Sequence, residues 1–225
     1  MAMVAEAAEA AGAPIPATAE AIRGELARMQ EAFPFPAAEL ERTPKRRWIT
    51  QYARKGGIGA EIGVFRGHFS EMLLGALKPR KLYLVDQWEL QGPSFGWSDE
   101  YTCGDTLTTG FARREVELRR ALHPAAEVVI RQARFPACAA EFAEPLDWLY
   151  LDASHAYEAT LVELEAAATL IKPDGVIMGD DWHPNPWARH HGVFRAVNEF
   201  IKTAPFEFAA AGRAAQWCIR PLTRY

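Results

Sequence analysis

The stretch DWLYLDASHAYEATLVELEAAATLIKPDGVIMGDDW, residues 147–182, determines the fold class. It begins with an apolar run, Trp148 to Leu151, that has the length of a buried strand. Apolar residues then recur at helical spacing, at Leu161, Leu164, Ala168 and Ile171. Pro173 and Gly175 end this helix, because proline lacks the amide proton that a helix needs and glycine permits a turn. A second apolar run, 176–178, completes a strand–helix–strand unit, which is typical of an α/β protein.

Carboxylates follow both strands of this unit. Asp152 comes directly after the first strand, and Asp180 and Asp181 follow the second. A right-handed crossover makes the two strands parallel and brings the three side chains to one edge of the sheet, where ligands bind in open α/β sheets. Carboxylates at short range repel one another, so the cluster indicates a bound cation unless one of them is protonated or points away.

Composition and charge restrict the class of protein. The 225 residues are 49% hydrophobic and 24% charged, as in globular domains, and the formal net charge of −4 argues against a nucleic-acid partner. No apolar run is long enough to cross a membrane, and the first residues lack the pattern of a signal peptide. The three cysteines show no metal-binding spacing and suit a reducing compartment, so we expect a cytoplasmic protein. We expect the basic clusters at 45–47, 113–114 and 119–120 to be solvated helix faces.

The chain divides into a helical N-terminal extension, residues 1–55, and an α/β domain, residues 56–225. In the extension, the sequence predicts one helix from Thr18 to about Phe33 and another near 45–55. Strands and helices alternate from Ile58 onward. A long connection, 87–110, is rich in aromatic residues that could stack on a substrate or pack the loop onto the domain: Trp88, Phe95, Trp97 and Tyr101.

The segment EIGVFRG, residues 61–67, follows the first strand and opens a helix. Its glycines, Gly63 and Gly67, allow a tight turn and close approach of the backbone to a ligand. Asp86 ends the second strand, where a carboxylate can bind both hydroxyls of a ribose. Because the third glycine of a pyrophosphate-binding loop is missing, a cofactor with ribose and adenine but no phosphates fits better than NAD.

With these motifs, the chain resembles the class I S-adenosylmethionine-dependent methyltransferases over roughly residues 56–220. EIGVFRG, YLVDQW and VVIRQARF are similar to their cofactor motifs, and DWLYLDASHAYE with IKPDGVIMGDDW resembles the metal-dependent O-methyltransferase subset, of sugar, macrolide or catechol type. Ala153 and Asp174 stand where relatives usually have glycine. The resemblance implies a Rossmann-like, doubly wound sheet of seven strands, mostly parallel with one antiparallel strand, and helices on both faces.

The resemblance also implies roles for individual residues. Seven would bind the cofactor: Glu61, Gly63, Gly67, Ser70, Asp86, Gln132 and Ala133. Mg²⁺ or another divalent cation would be bound by Asp152, Asp180 and Asp181. The general base would be His155, three residues beyond Asp152.

We therefore expect an S-adenosylmethionine-dependent, Mg²⁺-assisted O-methyltransferase. Its acceptor would be a hydroxyl group of a small molecule, a sugar or another vicinal diol. We expect no nucleic-acid or membrane partner, and the protein could form a homo-oligomer. A bound Mg²⁺ would orient two neighbouring hydroxyls and lower the pKa of the reacting one. Three alternatives remain open at this stage, and the first is a methyltransferase that works without a metal. An NAD-dependent oxidoreductase would not need the aspartate cluster, and a non-catalytic cofactor-binding protein would not need His155.

Overall fold

A single sheet of seven strands organises the computed structural model, which describes residues 13–96 and 99–222. The strands are β1 (Ile58–Ile62), β2 (Lys81–Asp86), β3 (Glu127–Gln132), β4 (Leu146–Leu151), β5 (Ile171–Gly179), β6 (Phe206–Ala211) and β7 (Trp217–Pro221). Their order across the sheet is β3-β2-β1-β4-β5-β7-β6. The pairings from β3 to β5 are parallel, whereas β7 runs antiparallel to β5 and β6. This confirms the predicted Rossmann-like sheet with one antiparallel strand.

The described residues form seven α-helices and four short 3-10 helices. The α-helices are α1 (Ala19–Ala32), α2 (Ala37–Arg46), α3 (His68–Leu77), α4 (Asp99–Thr102), α5 (Thr109–Ala121), α6 (Tyr157–Leu170) and α7 (His191–Thr203). The 3-10 helices are Arg47–Tyr52, Trp88–Gln91, Ala139–Glu141 and Arg213–Ala215. Within the described ranges, every helix is too short or too polar to span a bilayer.

Hydrophobic cores cover both faces of the sheet. Successive residues of a strand point to opposite faces, so Trp148 and Tyr150 of β4 belong to one core while Leu149 and Leu151 belong to the other. Residues of α1, α3 and α5 pack in the first core, and residues of α6 and α7 pack in the second. The extension therefore shares a core with the α/β domain.

The N-terminal extension differs from the prediction in its second helix. Instead of a helix near 45–55, α2 begins at Ala37 and contains Pro44, and a 3-10 helix follows it. Pro44 lies near the end of α2, where its missing amide proton costs one hydrogen bond. The first helix agrees, because Thr18 caps α1 by accepting a hydrogen bond from the backbone of Ala21.

The basic clusters were predicted wrongly in part. Arg46, Arg114 and Arg119 are 5%, 2% and 7% exposed, respectively, instead of lying on solvated helix faces. Arg46 pairs with Asp152 and Arg114 with Glu25, while Arg119 lies between the buried Glu115 and the partly exposed Glu71. These carboxylates offset the cost of removing the guanidinium groups from water.

Two further boundaries differ. Ile171 begins β5 rather than ending the helix, because Pro173 forbids helix continuation and the residue before a proline favours an extended backbone. Residues 172–175 interrupt the pairing of β5 with β4. The alternation of strands and helices is also incomplete, because only the 3-10 helix Ala139–Glu141 lies between β3 and β4. Trp97 and residues 1–12 lie outside the described part of the chain.

Candidate active site

A cavity of about 750 Å³ opens at the edge of the sheet where β1, β2, β4 and β5 end. This is the edge at which ligands bind in open α/β sheets. The residues after the strands form its floor, and α2 together with the 87–110 loop contributes walls. The sequence-predicted residues in its lining are Glu61, Gly63, Gly67, Asp86, Ala133, Asp152, His155, Asp180 and Asp181.

The glycine loop after β1 is fixed by Asp86. One oxygen of this carboxylate, Oδ2, accepts hydrogen bonds from the backbone amides of Val64 and Phe65, both at 2.8 Å. Gly63 has a φ of +86°, and a Cβ atom there would collide with the backbone oxygen of Asp152. Only glycine therefore fits at this point, where the loop passes directly under the cavity.

Glu61 is a buried carboxyl group in the cavity lining, 1% exposed. It accepts a hydrogen bond from the hydroxyl of Ser70, which is buried and lies behind the lining. Burial raises the pKa of Glu61 to about 8, although the Ser70 hydrogen bond acts in the opposite direction. A cation that entered this part of the cavity would stabilise the ionised carboxylate.

The two residues predicted for the adenine side differ in position. Ala133 lines the cavity, and its amide donates to the backbone oxygen of Asp86 at 2.8 Å. The side chain of Gln132 instead accepts a hydrogen bond from Arg113 at 2.7 Å, away from the lining. Phe135, which the sequence analysis did not select, lines the cavity beside Ala133.

Asp152 and Asp180 are bridged by an arginine from α2. The Nη2 atom of Arg46 lies 2.7 Å from Oδ2 of Asp152 and 3.2 Å from Oδ2 of Asp180. Arg42, one helical turn earlier, pairs with Oδ1 of Asp180. Burial raises the pKa of Asp152 to about 6, against the lowering effect of the Arg46 charge.

Asp181 turns away from this pair toward three histidines. Its Oδ2 lies 2.7 Å from Nδ1 of His155 and 2.9 Å from Nδ1 of His190, and its Oδ1 lies 3.4 Å from Nε2 of His183. Burial disfavours the charge on Asp181, but hydrogen bonds from His155 and His190 hold its pKa well below its usual range. Burial likewise lowers the pKa of His155, but the hydrogen bond to Asp181 and the nearby carboxylates outweigh it and raise this pKa.

The three predicted metal ligands do not form one open oxygen site. Asp152 and Asp180 are paired with arginines, and Asp181 faces histidines. The residues present therefore do not fit an Mg²⁺ ion held jointly by these aspartates, since Mg²⁺ needs carboxylate oxygens that are free to coordinate it. Among the described residues, His155, Asp181 and His190 form a group whose donor atoms all lie within 4.8 Å of one another.

The sequence analysis missed the contribution of the extension to the cavity. Arg42 and Arg46 are four residues apart, a spacing that places both on one helix face, and this was the available signal. Phe35 also lines the cavity and stacks on His68, with 4.0 Å between ring centroids. From the long loop, Phe95 and Tyr101 both pack on the domain and line the cavity.

Comparisons with known proteins agree on one fold. A family model described as a methyltransferase domain matches residues 60–182. No curated protein sequence matches the chain. An O-methyltransferase from Bacillus cereus in complex with SAH (S-adenosylhomocysteine) is a similar solved structure, with 17% identity, 92% coverage of each chain and a TM-score of 0.53.

Two further solved structures differ in the acceptors that they name. CalS11, a TDP-rhamnose 3′-O-methyltransferase of calicheamicin biosynthesis, is 18% identical, with coverage of 97% of this chain and 92% of the other and a TM-score of 0.53. An rRNA methylase from Streptococcus thermophilus is 13% identical, with coverage of 78% and 93% and a TM-score of 0.51. At these identities the likeness establishes the fold alone.

Proposed function

The chain belongs to the methyltransferase-domain family, and from this premise we propose that it transfers a methyl group from S-adenosylmethionine to a hydroxyl group of a small molecule. One observation carries the proposal. The glycine loop held by Asp86 and the His155–Asp181 pair face the same cavity. Its volume of about 750 Å³ is within the range of pockets that bind small ligands.

Several residues of the cavity lining support the proposed binding of the cofactor. S-adenosylmethionine, when bound, supplies an electrophilic methyl group on a sulfonium centre. Asp86 lies at the end of β2, where its carboxylate would accept hydrogen bonds from the ribose hydroxyls. Glu61 is a buried carboxyl group, and we propose that it faces the positively charged methionine part of the cofactor. Gly63 lets the loop that would hold this part of the ligand pack directly against the backbone of Asp152.

His155 is the proposed general base. Its Nδ1 atom lies 2.7 Å from the Asp181 carboxylate, which favours the tautomer with the proton on Nδ1 and leaves Nε2 to accept a proton. A hydroxyl group is a weak nucleophile near neutral pH, so removal of its proton during transfer lowers the barrier. Asp181 orients the imidazole ring and stabilises the imidazolium that forms.

The acceptor side suits a sugar or another vicinal diol. Its walls combine aromatic faces, from Phe35 and Tyr101, with charged side chains that can bind hydroxyl groups, from Glu39, Arg42 and Arg189. Aromatic faces pack against the apolar face of a sugar ring, and polar groups fix its orientation. The sugar-nucleotide acceptor named for CalS11, which shares the fold, is consistent with this proposal.

Calorimetric titration with S-adenosylmethionine, followed by transfer of a radiolabelled methyl group to a panel of acceptors, tests the proposal. The panel contains nucleotide sugars, glycosides, catechols and an rRNA fragment. We expect His155→Gln to lower the transfer rate by about 100-fold or more while the cofactor Kd changes by less than about threefold. His123→Gln, a substitution far from the cavity lining, is the control. Absence of cofactor binding, or methylation of RNA alone, would contradict the proposal.

A further inference from the structure

We propose that Arg46 is the permanent cation of the Asp152–Asp180 carboxylate pair, and that this pair consequently binds no divalent metal. The inference rests on the proposed function in one respect, since its consequence is that methyl transfer does not require Mg²⁺ at these two aspartates. The positive charge beside Asp152 and Asp180 would then come from an arginine of the N-terminal extension and not from a metal ion.

Arg46 is built into the fold rather than resting on its surface. It is 5% exposed, and its guanidinium carbon lies 3.9 Å from the centroid of the Phe69 ring. The Nη2 atom that contacts both carboxylates also donates to the hydroxyl of Tyr150 at 2.6 Å. A planar guanidinium group suits this position, because it stacks on an aromatic face while its edge donates several hydrogen bonds.

Among the described contacts, both carboxylate oxygens of Asp180 already face donor groups of the protein. Its Oδ1 accepts hydrogen bonds from Arg42 and from Nε2 of Gln216, the latter at 2.6 Å. Its Oδ2 faces Arg46 at 3.2 Å, and the residue is 4% exposed. Mg²⁺ requires near-octahedral coordination at about 2.0–2.1 Å and loses its waters reluctantly. An ion at Asp180 would have to displace both arginines.

Protein cations already face both carboxylates of the pair. Asp152 and Asp180 contact the guanidinium groups of Arg42 and Arg46, and Arg42 also pairs with Glu39 at 3.3 Å. A divalent ion would add two positive charges to a largely buried group and leave the displaced guanidinium groups without partners, which is costly away from water. The carboxylate repulsion from which a metal was predicted is thus relieved by the protein itself.

Titration of the full-length protein with Mn²⁺, followed by electron paramagnetic resonance, tests the proposal because Mn²⁺ substitutes for Mg²⁺ and its free form is directly observed. We expect the wild type to bind Mn²⁺ at Asp152 and Asp180 more weakly than about 1 mM. Arg46→Met exposes the carboxylate pair and should bind Mn²⁺ at least about 10-fold more tightly, and a second substitution, Asp180→Asn, should remove the gain. Arg47→Met, at an exposed neighbouring position, should behave as the wild type.

Two outcomes would overturn the proposal: stoichiometric Mn²⁺ binding by the wild type that is lost in Asp152→Asn, or a folded Arg46→Met protein without any gain. Binding that survives in Asp152→Asn but disappears in His190→Gln would place the ion beside Asp181 and support the proposal.

If circular dichroism shows that Arg46→Met does not fold, the comparison of Mn²⁺ binding by wild type and by Asp152→Asn still tests the proposal. S-adenosylmethionine titration in EDTA separates the two proposals, because absence of cofactor binding rejects only the proposed function.

Discussion

The charge of Glu61 links the stability of the protein to pH. Its pKa rises from an ordinary 4.5 to about 8 on burial, so the folded state holds a proton that the unfolded chain releases between these values. The stabilising contribution is therefore complete below about pH 4.5 and decreases as the pH rises through 8.

Urea denaturation at pH 5 and pH 8.5 measures this linkage. We expect the free energy of unfolding of the wild type, relative to Glu61→Gln, to fall by on the order of 4 kcal/mol between the two pH values. Glu158→Gln, at an exposed position of α6, is the control and should follow the wild type. An identical pH dependence of wild type and Glu61→Gln would show that Glu61 does not hold the proton.

A side chain at Gly63 would cost stability in two ways, through an unfavourable positive φ and through a collision with the backbone of Asp152. A second glycine allows the two contributions to be measured separately. Gly56 also has a positive φ, +70°, but a Cβ atom there meets no neighbour within 4 Å. We expect Gly56→Ala to cost about 1 kcal/mol of stability and Gly63→Ala about 3 kcal/mol or more, because only the latter forces the loop away from Asp152. Thermal denaturation measures both variants. Equal costs would mean that the close approach at Gly63 is unimportant.

At the scale of elements, a tryptophan packs over a glycine between neighbouring strands. Gly59 of β1 pairs in register with Trp148 of β4, and Gly179 of β5 pairs with Trp217 of β7. A Cβ atom on either glycine would overlap the indole ring of its partner. The missing side chain on one strand thus leaves the space that the large ring on the next strand fills.

A double-mutant cycle tests this packing. Gly59→Ala alone should cost about 2–4 kcal/mol of unfolding free energy through overpacking, and Trp148→Leu alone should cost a similar amount through a cavity. In combination they should cost at least about 1 kcal/mol less than the sum, because the smaller side chain makes room for the new methyl group. Additive costs in chemical denaturation would refute direct contact as the cause.

The elements of the sheet were predictable because their signals are local. Glu61 to Gly67 and Asp86 occupy positions that the strand–loop–helix pattern alone identifies. The hydrogen bonds from that loop to Asp86 were not predicted. The start of α2 was not predictable, because Pro44 reads locally as a boundary although its helix tolerates it. The burial of Arg46 was equally hidden, since its partners lie far along the chain and no local pattern encodes them.

At the scale of the whole molecule, the extension and the α/β domain should unfold together. Ile22, Met29 and Phe33 belong to the same hydrophobic core as Leu73 and Trp148. We therefore expect one calorimetric transition. S-adenosylmethionine at about 100 times its Kd should increase the free energy of unfolding by about 2.7 kcal/mol and raise the Tm of this transition by roughly 5–10 °C. A separate transition at lower temperature, unaffected by the cofactor, would indicate that the extension is an independent unit.

The contacts of α2 determine when the cavity can be completed during synthesis. The bonds from Arg46 to Asp152 and from Arg42 to Asp180 connect residues 106 and 138 positions apart. On the ribosome, α2 emerges long before its carboxylate partners exist, so these contacts cannot form until the chain has been made through β5. Contacts between residues that are far apart in the sequence form slowly, and a chain in which they have not yet formed exposes apolar surface that can aggregate. The nascent protein therefore acquires its binding site only after β5 has left the ribosome, and α2 remains available to a chaperone until then.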